Sequence, residues 1–203
     1  MRVFHFMEKK YALENVKKSR IKVATLRNMN DPYEFYIRFE GAREEEIDRF
    51  KAHFNKIAGF LCFSRRLGDP LQWAHYADNH KGICFEFEIP DRLLLKINYL
   101  KSPVQISVKS FDWKRDLVQT TLCKYRGWSY ERERRVLVNL KEEGVTQEGE
   151  LFFAQFSKGV VPSKVYTGIR CELTAEEEAL FKGNELPVYK MAQDANSYSI
   201  VHA

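Results

Sequence analysis

The most constraining feature of this sequence is that short apolar runs and amphipathic segments follow one another without a regular strand–helix alternation. GFLCFS (59–64) and GICFEFEI (82–89) are typical of buried strands, whereas AREEEIDRFKAHFNKIA (42–58) carries apolar residues at helical spacing. A parallel, doubly wound sheet would need a helix after nearly every strand. The pattern therefore predicts an α+β fold with peripheral helices and a largely antiparallel mixed sheet, continuous or split.

The length and composition indicate one globular unit. The chain has 203 residues, and no repeat, low-complexity tract or linker divides it, so we expect residues 1–203 to form a single domain. Its 44% hydrophobic content is typical of a globular protein rather than a disordered one. The net charge of +5 is too small to indicate nucleic-acid binding by itself, and it suits an anionic small molecule such as a nucleotide equally well.

The cysteines and apolar runs bear on the compartment. Cys62 and Cys84 lie inside strand-like apolar runs, where cysteine usually acts as a small hydrophobic residue, and no C-x-x-C pair occurs. No secretory leader pattern opens the sequence, and no apolar run approaches the length of a membrane span. We therefore expect a cytoplasmic protein with reduced thiols that does not contact a membrane.

The segment LQWAHYADNHKG (71–82) is the first candidate for chemistry. On a helix, Trp73 and Tyr76 share one face and His75 lies on the adjacent one. His75 and His80 are five residues apart, whereas two zinc ligands on one helix stand at i and i+4, so we expect no metal site. The simpler interpretation of the segment is a core aromatic face with hydrogen-bonded histidines.

Ser64 ends the run GFLCFS and precedes Arg65 and Arg66. A hydroxyl and two guanidinium groups at a strand end favour an anion-binding rim. No G-x-S-x-G context surrounds Ser64, which argues against a nucleophilic serine. The glycine patterns of the P-loop and of dinucleotide-binding folds are also absent, so a bound nucleotide would be held by other means.

The segment WSYERERRVLV (128–138) passes from aromatic to charged to apolar residues. If Tyr130 to Leu140 is extended, Glu131, Glu133 and Arg135 share one face. Fixed carboxylates can accept a hydrogen bond from a ribose hydroxyl and stabilise a developing oxocarbenium ion. The competing interpretation is a solvated surface strand whose ion pairs contribute little, and the residues alone favour it.

Four motifs occur in a fixed order along nearly the whole chain: N-D-P-Y-E (30–34), C-F-S (62–64), L-x-W-x-H-Y-A-x-N-H-x-G (71–82) and W-x-Y-E-x-E-x-R (128–135). In this order the chain resembles a large bacterial family catalogued as domain of unknown function number twenty-nine seventy-one. The family name implies no reaction. The resemblance does imply that residues of the four motifs belong to one site.

The chain also has a fainter similarity to the ADP-ribosyltransferase fold, which includes bacterial enzymes that modify DNA bases. That similarity implies NAD as a substrate, with His5 holding the adenosine ribose, Tyr76 stacking on nicotinamide and Glu133 binding the nicotinamide ribose. It also implies an enzyme of phage defence or a toxin. Together the two resemblances give Glu133 and Glu131 as catalytic residues and, as substrate-binding residues, His5, Asn30, Asp31, Ser64, Trp73, His75, Tyr76 and Arg135.

Two other functions stay open from the residues. A non-enzymatic module could bind nucleic acid or protein through a basic and aromatic patch at 124–135, because such interleaving suits backbone contacts and base stacking. That patch consists of Lys124, Tyr125, Arg126, Trp128, Tyr130, Arg132, Arg134 and Arg135. A nuclease would instead need Asp31 or Glu34 near Glu131, together with a divalent ion. The enzyme hypothesis predicts that His5, Ser64, Tyr76 and Glu133 converge on one cleft.

Overall fold

The computed structural model describes residues 1–41, 44–107, 120–157 and 159–202. Its strands are β1 (Arg2–Met7), β2 (Arg20–Val23), β3 (Ile37–Glu40), β4 (Ala58–Phe63), β5 (Ile83–Glu88), β6 (Leu95–Lys96), β7 (Asn98–Leu100), β8 (Val104–Ser107), β9 (Cys123–Tyr125), β10 (Arg134–Asn139), β11 (Val145–Glu148), β12 (Leu151–Gln155), β13 (Pro162–Thr167), β14 (Val188–Gln193) and β15 (Ile200–His202). The α-helices are α1 (Lys9–Lys17), α2 (Glu44–Ile57), α3 (Pro70–Tyr76) and α4 (Ala175–Gly183), and 3₁₀-helices cover Asp91–Leu93 and Arg126–Glu131.

The largest sheet has the strand order β1-β5-β13-β14-β15. Its second strand, β5, pairs antiparallel with both β1 and β13 and is buried on both faces, which explains why its sequence is an almost continuous apolar run. Glu86 is the buried exception within β5, whereas Glu88 at the end of the strand is exposed. The buried carboxylate of Glu86 accepts hydrogen bonds from the Tyr166 hydroxyl (2.8 Å) and the Lys164 ammonium (2.9 Å), so its charge is compensated.

Two smaller sheets, β4-β10-β6 and β11-β12-β2, continue the curvature of the first. Single β-bridges connect the three sheets. Phe4 of β1 pairs with Ser64 directly after β4, and Ala24 after β2 pairs with Phe60 of β4. Buried side chains from all three sheets meet in one core cluster. Representative members are Val3, Ile21, Leu61, Phe85 and Val138.

Most of the described strand pairs are antiparallel, and the parallel ones are β3–β8, β7–β9 and β13–β14. The predicted α+β class with a largely antiparallel sheet is therefore confirmed. In the described ranges, no helix combines the length and the apolar composition needed to cross a membrane.

The predicted extended conformation of Tyr130 to Leu140 is wrong at its beginning. Residues Arg126–Glu131 form a 3₁₀-helix, Arg132 adopts a left-handed conformation (φ 47°, ψ 44°), and β10 begins only at Arg134. Long-range contacts hold this bend, since the Ser64 hydroxyl donates to the carbonyl of Glu131 (2.7 Å). Alternation along a single strand therefore does not explain why Glu131 and Glu133 lie close together.

Helix α3 is fixed at both ends. The Asp69 side chain caps it by accepting from the amide of Leu71 (3.0 Å), and Pro70 occupies its first turn. After the helix, residues 78–80 are all left-handed, and they return the chain to β5. A Cβ at Gly82 would lie 2.3 Å from the carbonyl oxygen of Met7, so only glycine allows this close approach of the turn to β1.

Candidate functional site

A cavity of about 250 Å³ lies where β1, β4, the beginning of β10, α3 and the turn at 30–34 meet. The predicted convergence of His5, Ser64, Tyr76 and Glu133 on one cleft is confirmed. The curled sheet brings β1 and β4 side by side, and α3 packs on β1 through an edge-to-face contact between Trp73 and Phe6 (5.1 Å). The predicted site residues that line this cavity are His5, Asn30, Ser64, Tyr76, Glu131, Glu133 and Arg135.

Three other predicted site residues do not line the cavity. Trp73 is fully buried in the core beneath α3, and its indole N–H donates to the carbonyl of Leu67 (2.7 Å). His75 lies on the exposed face of α3, and its Nδ1 is 2.7 Å from the hydroxyl of Tyr130. A helix presents neighbouring residues in different directions. Of Trp73, His75 and Tyr76, only Tyr76 therefore lines the cavity.

The third of these residues, Asp31, shapes the turn. Its side chain accepts from the amide of Tyr33 (2.9 Å), and its carbonyl accepts from the amide of Glu34 (3.0 Å). These hydrogen bonds close the turn that aims Glu34 inward. Asp31 therefore positions a cavity residue instead of lining the cavity itself.

Five charged side chains form what we call the ionic cluster: Glu34, Lys124, Glu131, Glu133 and Arg135. The ammonium of Lys124 lies 2.7 Å from Glu131, 3.0 Å from Glu34 and 3.1 Å from Glu133. The ammonium donates hydrogen bonds to Glu131 and Glu133 and forms an ion pair with Glu34. All five side chains are buried, which makes this pairing necessary.

Arg135, only 1% exposed, forms the second centre of the ionic cluster. Its Nε donates to Glu133 (2.7 Å), its Nη2 donates to both oxygens of Glu34 (2.9 and 3.0 Å), and its Nη1 donates to the carbonyl of Thr121 (2.6 Å). With every group ionised, three carboxylates face two cations. The ionic cluster then carries one net negative charge beside the cavity.

Glu131 and Glu133 have pKa values shifted in opposite directions. Burial raises the pKa of Glu133, but Arg135 and Lys124 outweigh burial and lower that pKa to about 2. For Glu131, burial raises the pKa; Lys124 offsets part of this effect and the negative charge of Glu133 adds to it, so the pKa stays above its usual value. Such a separation allows one carboxylate to exchange protons while the other remains a fixed anion.

The two carboxylates also differ in their remaining capacity for hydrogen bonds. A carboxylate can accept about four hydrogen bonds. Glu133 already receives three, from Nε and Nη2 of Arg135 and from Lys124. Glu131 receives two side-chain bonds, one from Lys124 and one from the hydroxyl of Tyr76. Glu131 is therefore better able to accept a hydrogen bond from a ligand.

Tyr76 connects Glu131 to the rim of the cavity. Its hydroxyl donates to Glu131 and accepts from the side-chain amide of Asn30 (3.2 Å). Burial and the nearby negative charge of Glu131 raise the pKa of the Tyr76 phenol well above its usual value. The phenol therefore keeps its proton, and that proton is directed at Glu131.

His5 offers a neutral acceptor on the β1 side of the cavity. Its Nδ1 lies 2.8 Å from the carbonyl oxygen of Cys62, which can only accept a hydrogen bond, so Nδ1 carries the proton. Burial lowers the pKa of His5, which keeps the ring neutral. The lone pair of Nε2 can then accept a hydrogen bond from a hydroxyl or amide group.

Ser64 lines the cavity, but its hydroxyl is used within the protein. It donates to the carbonyl of Glu131 (2.7 Å) and accepts from the amide of Arg66 (3.0 Å). Ser64 therefore positions the backbone of Glu131 and the turn that follows β4.

The sequence predictions missed two members of the ionic cluster as site residues, Glu34 and Lys124. Glu34 ends the N-D-P-Y-E motif, so the motif itself was a signal for it. The binding-module hypothesis places Lys124 in an exposed basic patch at 124–135, and this placement is wrong. Lys124 and Arg135 are both buried in the ionic cluster, which leaves Arg126 and Arg132 as the exposed cations of the patch, with Arg134 half-buried.

The ionic cluster does not resemble a metal site. Within the described ranges, no group of three or more His, Cys, Asp or Glu side chains is arranged to hold a metal ion. The ammonium of Lys124 already lies between the three carboxylates, and Asp31 does not line the cavity. Glu34 lies near Glu131, as the nuclease hypothesis requires, but the ammonium of Lys124 takes the position between them that a divalent ion would need.

Comparison with known proteins found no family model, no curated protein and no solved structure that matches this chain.

Proposed function

We propose that the cavity binds the ribosyl part of NAD and that the protein, an ADP-ribosyltransferase-like enzyme, cleaves or transfers at the nicotinamide–ribose bond. The observation that carries the proposal is that Glu131 and Glu133, with opposite pKa shifts, line one cavity with the neutral His5. Glycosidic bonds are broken by pairs of carboxylates with separated roles. The fainter similarity of the chain to the ADP-ribosyltransferase fold supports the same chemistry and a role in bacterial phage defence or as a toxin.

In the proposed reaction, the bond between the ribose carbon and the nicotinamide nitrogen breaks, and its electron pair leaves with neutral nicotinamide. The ribose then carries positive charge, and the fixed anion Glu133 stabilises it electrostatically. Glu131 accepts a hydrogen bond from the attacking water or target group and takes its proton, for which a raised pKa is suited. His5 accepts a hydrogen bond from a ribose hydroxyl through Nε2.

The test is the release of nicotinamide from NAD, measured by chromatography, with water and with candidate nucleic-acid and protein acceptors. We expect Glu131→Gln to lower the rate by at least about 100-fold, the usual contribution of a general acid–base group. The control Glu143→Gln changes an exposed glutamate and should leave the rate unchanged. Failure of the wild-type protein to release nicotinamide, or full activity of Glu131→Gln, would contradict the proposal.

A second candidate function rests on a surface feature beside the cavity. The rings of His75, Trp128 and Tyr130 lie 5.8–6.0 Å apart, with Arg126 and Arg132 exposed on the same segment as the two aromatic residues. Such a platform suits base stacking with nearby phosphate contacts. It supports a nucleic-acid or protein binding module that needs no catalysis.

The binding module makes a different prediction from the enzyme. Binding of single-stranded nucleic acid should weaken steeply with added salt and should weaken further in the double variant Arg126→Gln, Arg132→Gln. Glu131→Gln should not reduce it. If Glu131→Gln abolishes nicotinamide release and leaves nucleic-acid binding intact, both surfaces function in one protein.

A further inference from the structure

A second cavity, of about 380 Å³, lies beside the ionic cluster and shares Lys124 as a lining residue with the first. Three tyrosines line it and remain unusually exposed, Tyr33 at 61%, Tyr36 at 46% and Tyr125 at 57%. The rings of Tyr33 and Tyr36 meet edge to face at 5.5 Å. We call it the tyrosine cavity.

The two cavities are built from the same two short segments. In the turn at 30–34, Asn30 and Glu34 line the first cavity, whereas Tyr33 lines the tyrosine cavity. In β9, Lys124 belongs to the ionic cluster and the next residue, Tyr125, lines the tyrosine cavity. A ligand that spans the two cavities would therefore contact neighbouring residues of the same two segments.

The lining of the tyrosine cavity suits a planar aromatic ring that carries an anionic group. Exposed tyrosine rings can stack on a nucleobase regardless of its identity. Lys101 and Ser102 are exposed lining residues that can contact a phosphate through an ammonium and a hydroxyl group. The ammonium of Lys124 is not available for this purpose, because the three carboxylates of the ionic cluster engage it.

The first cavity, at about 250 Å³, is smaller than the roughly 300–1,000 Å³ of pockets that enclose drug-sized ligands, so it accommodates only part of a dinucleotide. We propose that the tyrosine cavity binds the nucleobase and phosphate of the other half of the substrate, the adenylate end. His5 lines the first cavity and not the tyrosine cavity, so this placement replaces the expectation that His5 holds the adenosine ribose. This inference rests on the proposed function for the identity of the whole substrate. The class of ligand, a phosphorylated nucleoside, follows from the tyrosines and Lys101 themselves.

The test is binding of AMP and of adenosine, each alone, to the full chain by isothermal titration calorimetry. We expect AMP to bind the wild-type protein and Tyr125→Ala or Tyr33→Ala to weaken AMP and adenosine alike, by about tenfold. Lys101→Gln should weaken AMP and leave adenosine unchanged. The matched control is Tyr198→Ala, which removes a fully exposed tyrosine that does not line the tyrosine cavity and should change neither affinity.

The outcomes separate this inference from the proposed function. If AMP does not bind, or binds equally well to Tyr125→Ala and Tyr33→Ala, the tyrosine cavity is not a nucleotide site, whatever the protein does to NAD. If AMP binds as expected and the protein releases no nicotinamide from NAD, the tyrosine cavity is a nucleotide site and the proposed reaction is wrong. Unchanged circular dichroism of each variant confirms that the affinities report on binding.

Discussion

At the scale of single residues, the burial of two glutamates depends on Arg135. Its guanidinium donates to both Glu34 and Glu133 and contacts the face of Phe60 (5.4 Å). A lysine could not replace it, because an ammonium has three donors, whereas the guanidinium makes five hydrogen bonds to Glu34, Glu133 and the carbonyl of Thr121. Arg135 therefore fixes the geometry and the charge state of the ionic cluster together.

We expect Arg135→Met to lower the free energy of unfolding by about 3–5 kcal/mol, the usual cost of removing one partner from a buried ion pair. Only Lys124 would then face three buried carboxylates. Chemical denaturation monitored by circular dichroism measures the change. Arg126→Met is the control, since Arg126 is exposed and its loss should cost far less. Equal stability of the two variants would show that the ionic cluster contributes little to the fold.

Tyr76→Phe tests how the pKa of Glu131 is set. The phenol donates to the ionised carboxylate and thereby lowers the pKa of Glu131, so its removal should raise that pKa further. The limb of the pH–rate profile that reports on Glu131 should therefore move to higher pH, with little change in stability. Tyr130→Phe removes a hydroxyl that contacts His75 instead, and its profile should match the wild type.

At the scale of elements, the bend between the 3₁₀-helix and β10 decides where the carboxylates point. Arg132 is the left-handed residue between Glu131 and Glu133, and its own side chain is exposed while both glutamates are buried. A regular strand would not place the Glu131 carbonyl within reach of Ser64 in this way. Because of this bend, Glu131 and Glu133 lie close in sequence but are held by different partners within one site.

Substitutions at Arg132 should separate backbone from side-chain effects. Arg132→Gly should keep or slightly raise stability, because glycine adopts positive φ without strain. Arg132→Val should lower the free energy of unfolding by about 1–2 kcal/mol, since a β-branched residue is poorly suited to this conformation, and it should also lower activity by displacing Glu131. Thermal denaturation measures the stability of the two variants, and nicotinamide release measures their activity. Similar stability of the two variants would argue against the left-handed conformation.

Motifs and alternation predicted the strands GFLCFS and GICFEFEI and a helix over 42–58, of which the structure describes Glu44–Ile57 as helix, because these patterns are local. Local pattern could not predict the 3₁₀-helix at 126–131, because a long-range hydrogen bond from Ser64 and the burial of the Lys124–Glu131 ion pair hold it in place. It also could not show that Lys124 is buried, since a lysine between Cys123 and Tyr125 looks like any surface cation. The order of the motifs predicted which segments meet at the cavity, and tertiary packing decided which side chains enter it.

At the scale of the whole molecule, the ionic cluster makes folding depend on pH. The folded-state pKa of Glu133, about 2, lies below its ordinary value of 4.5. Its contribution, about 3 kcal/mol, is therefore complete above the ordinary value and is lost as the pH falls from about 4.5 to about 2. Glu131, with a raised pKa, has the opposite sign and stabilises the folded state as it becomes protonated.

We therefore expect the free energy of unfolding of the wild-type protein to fall as the pH drops through this window. Glu133→Gln should show a shallower dependence, because it removes the group with the depressed pKa. Urea denaturation at a series of pH values measures both curves, and Glu143→Gln, on the surface, should follow the wild type. Parallel curves for Glu133→Gln and the wild type would contradict the depressed pKa.

The single uncompensated negative charge of the ionic cluster has a consequence for the heat of ligand binding. A ligand that brings negative charge to the cavity should draw a proton onto Glu131, whereas the positively charged nicotinamide ring of NAD should favour its release. The measured enthalpy of binding should then vary with the ionisation enthalpy of the buffer, and the slope gives the number of protons exchanged. In Glu131→Gln the binding enthalpy should no longer depend on the buffer. This result would show that Glu131 is the group that exchanges the proton when the ligand binds.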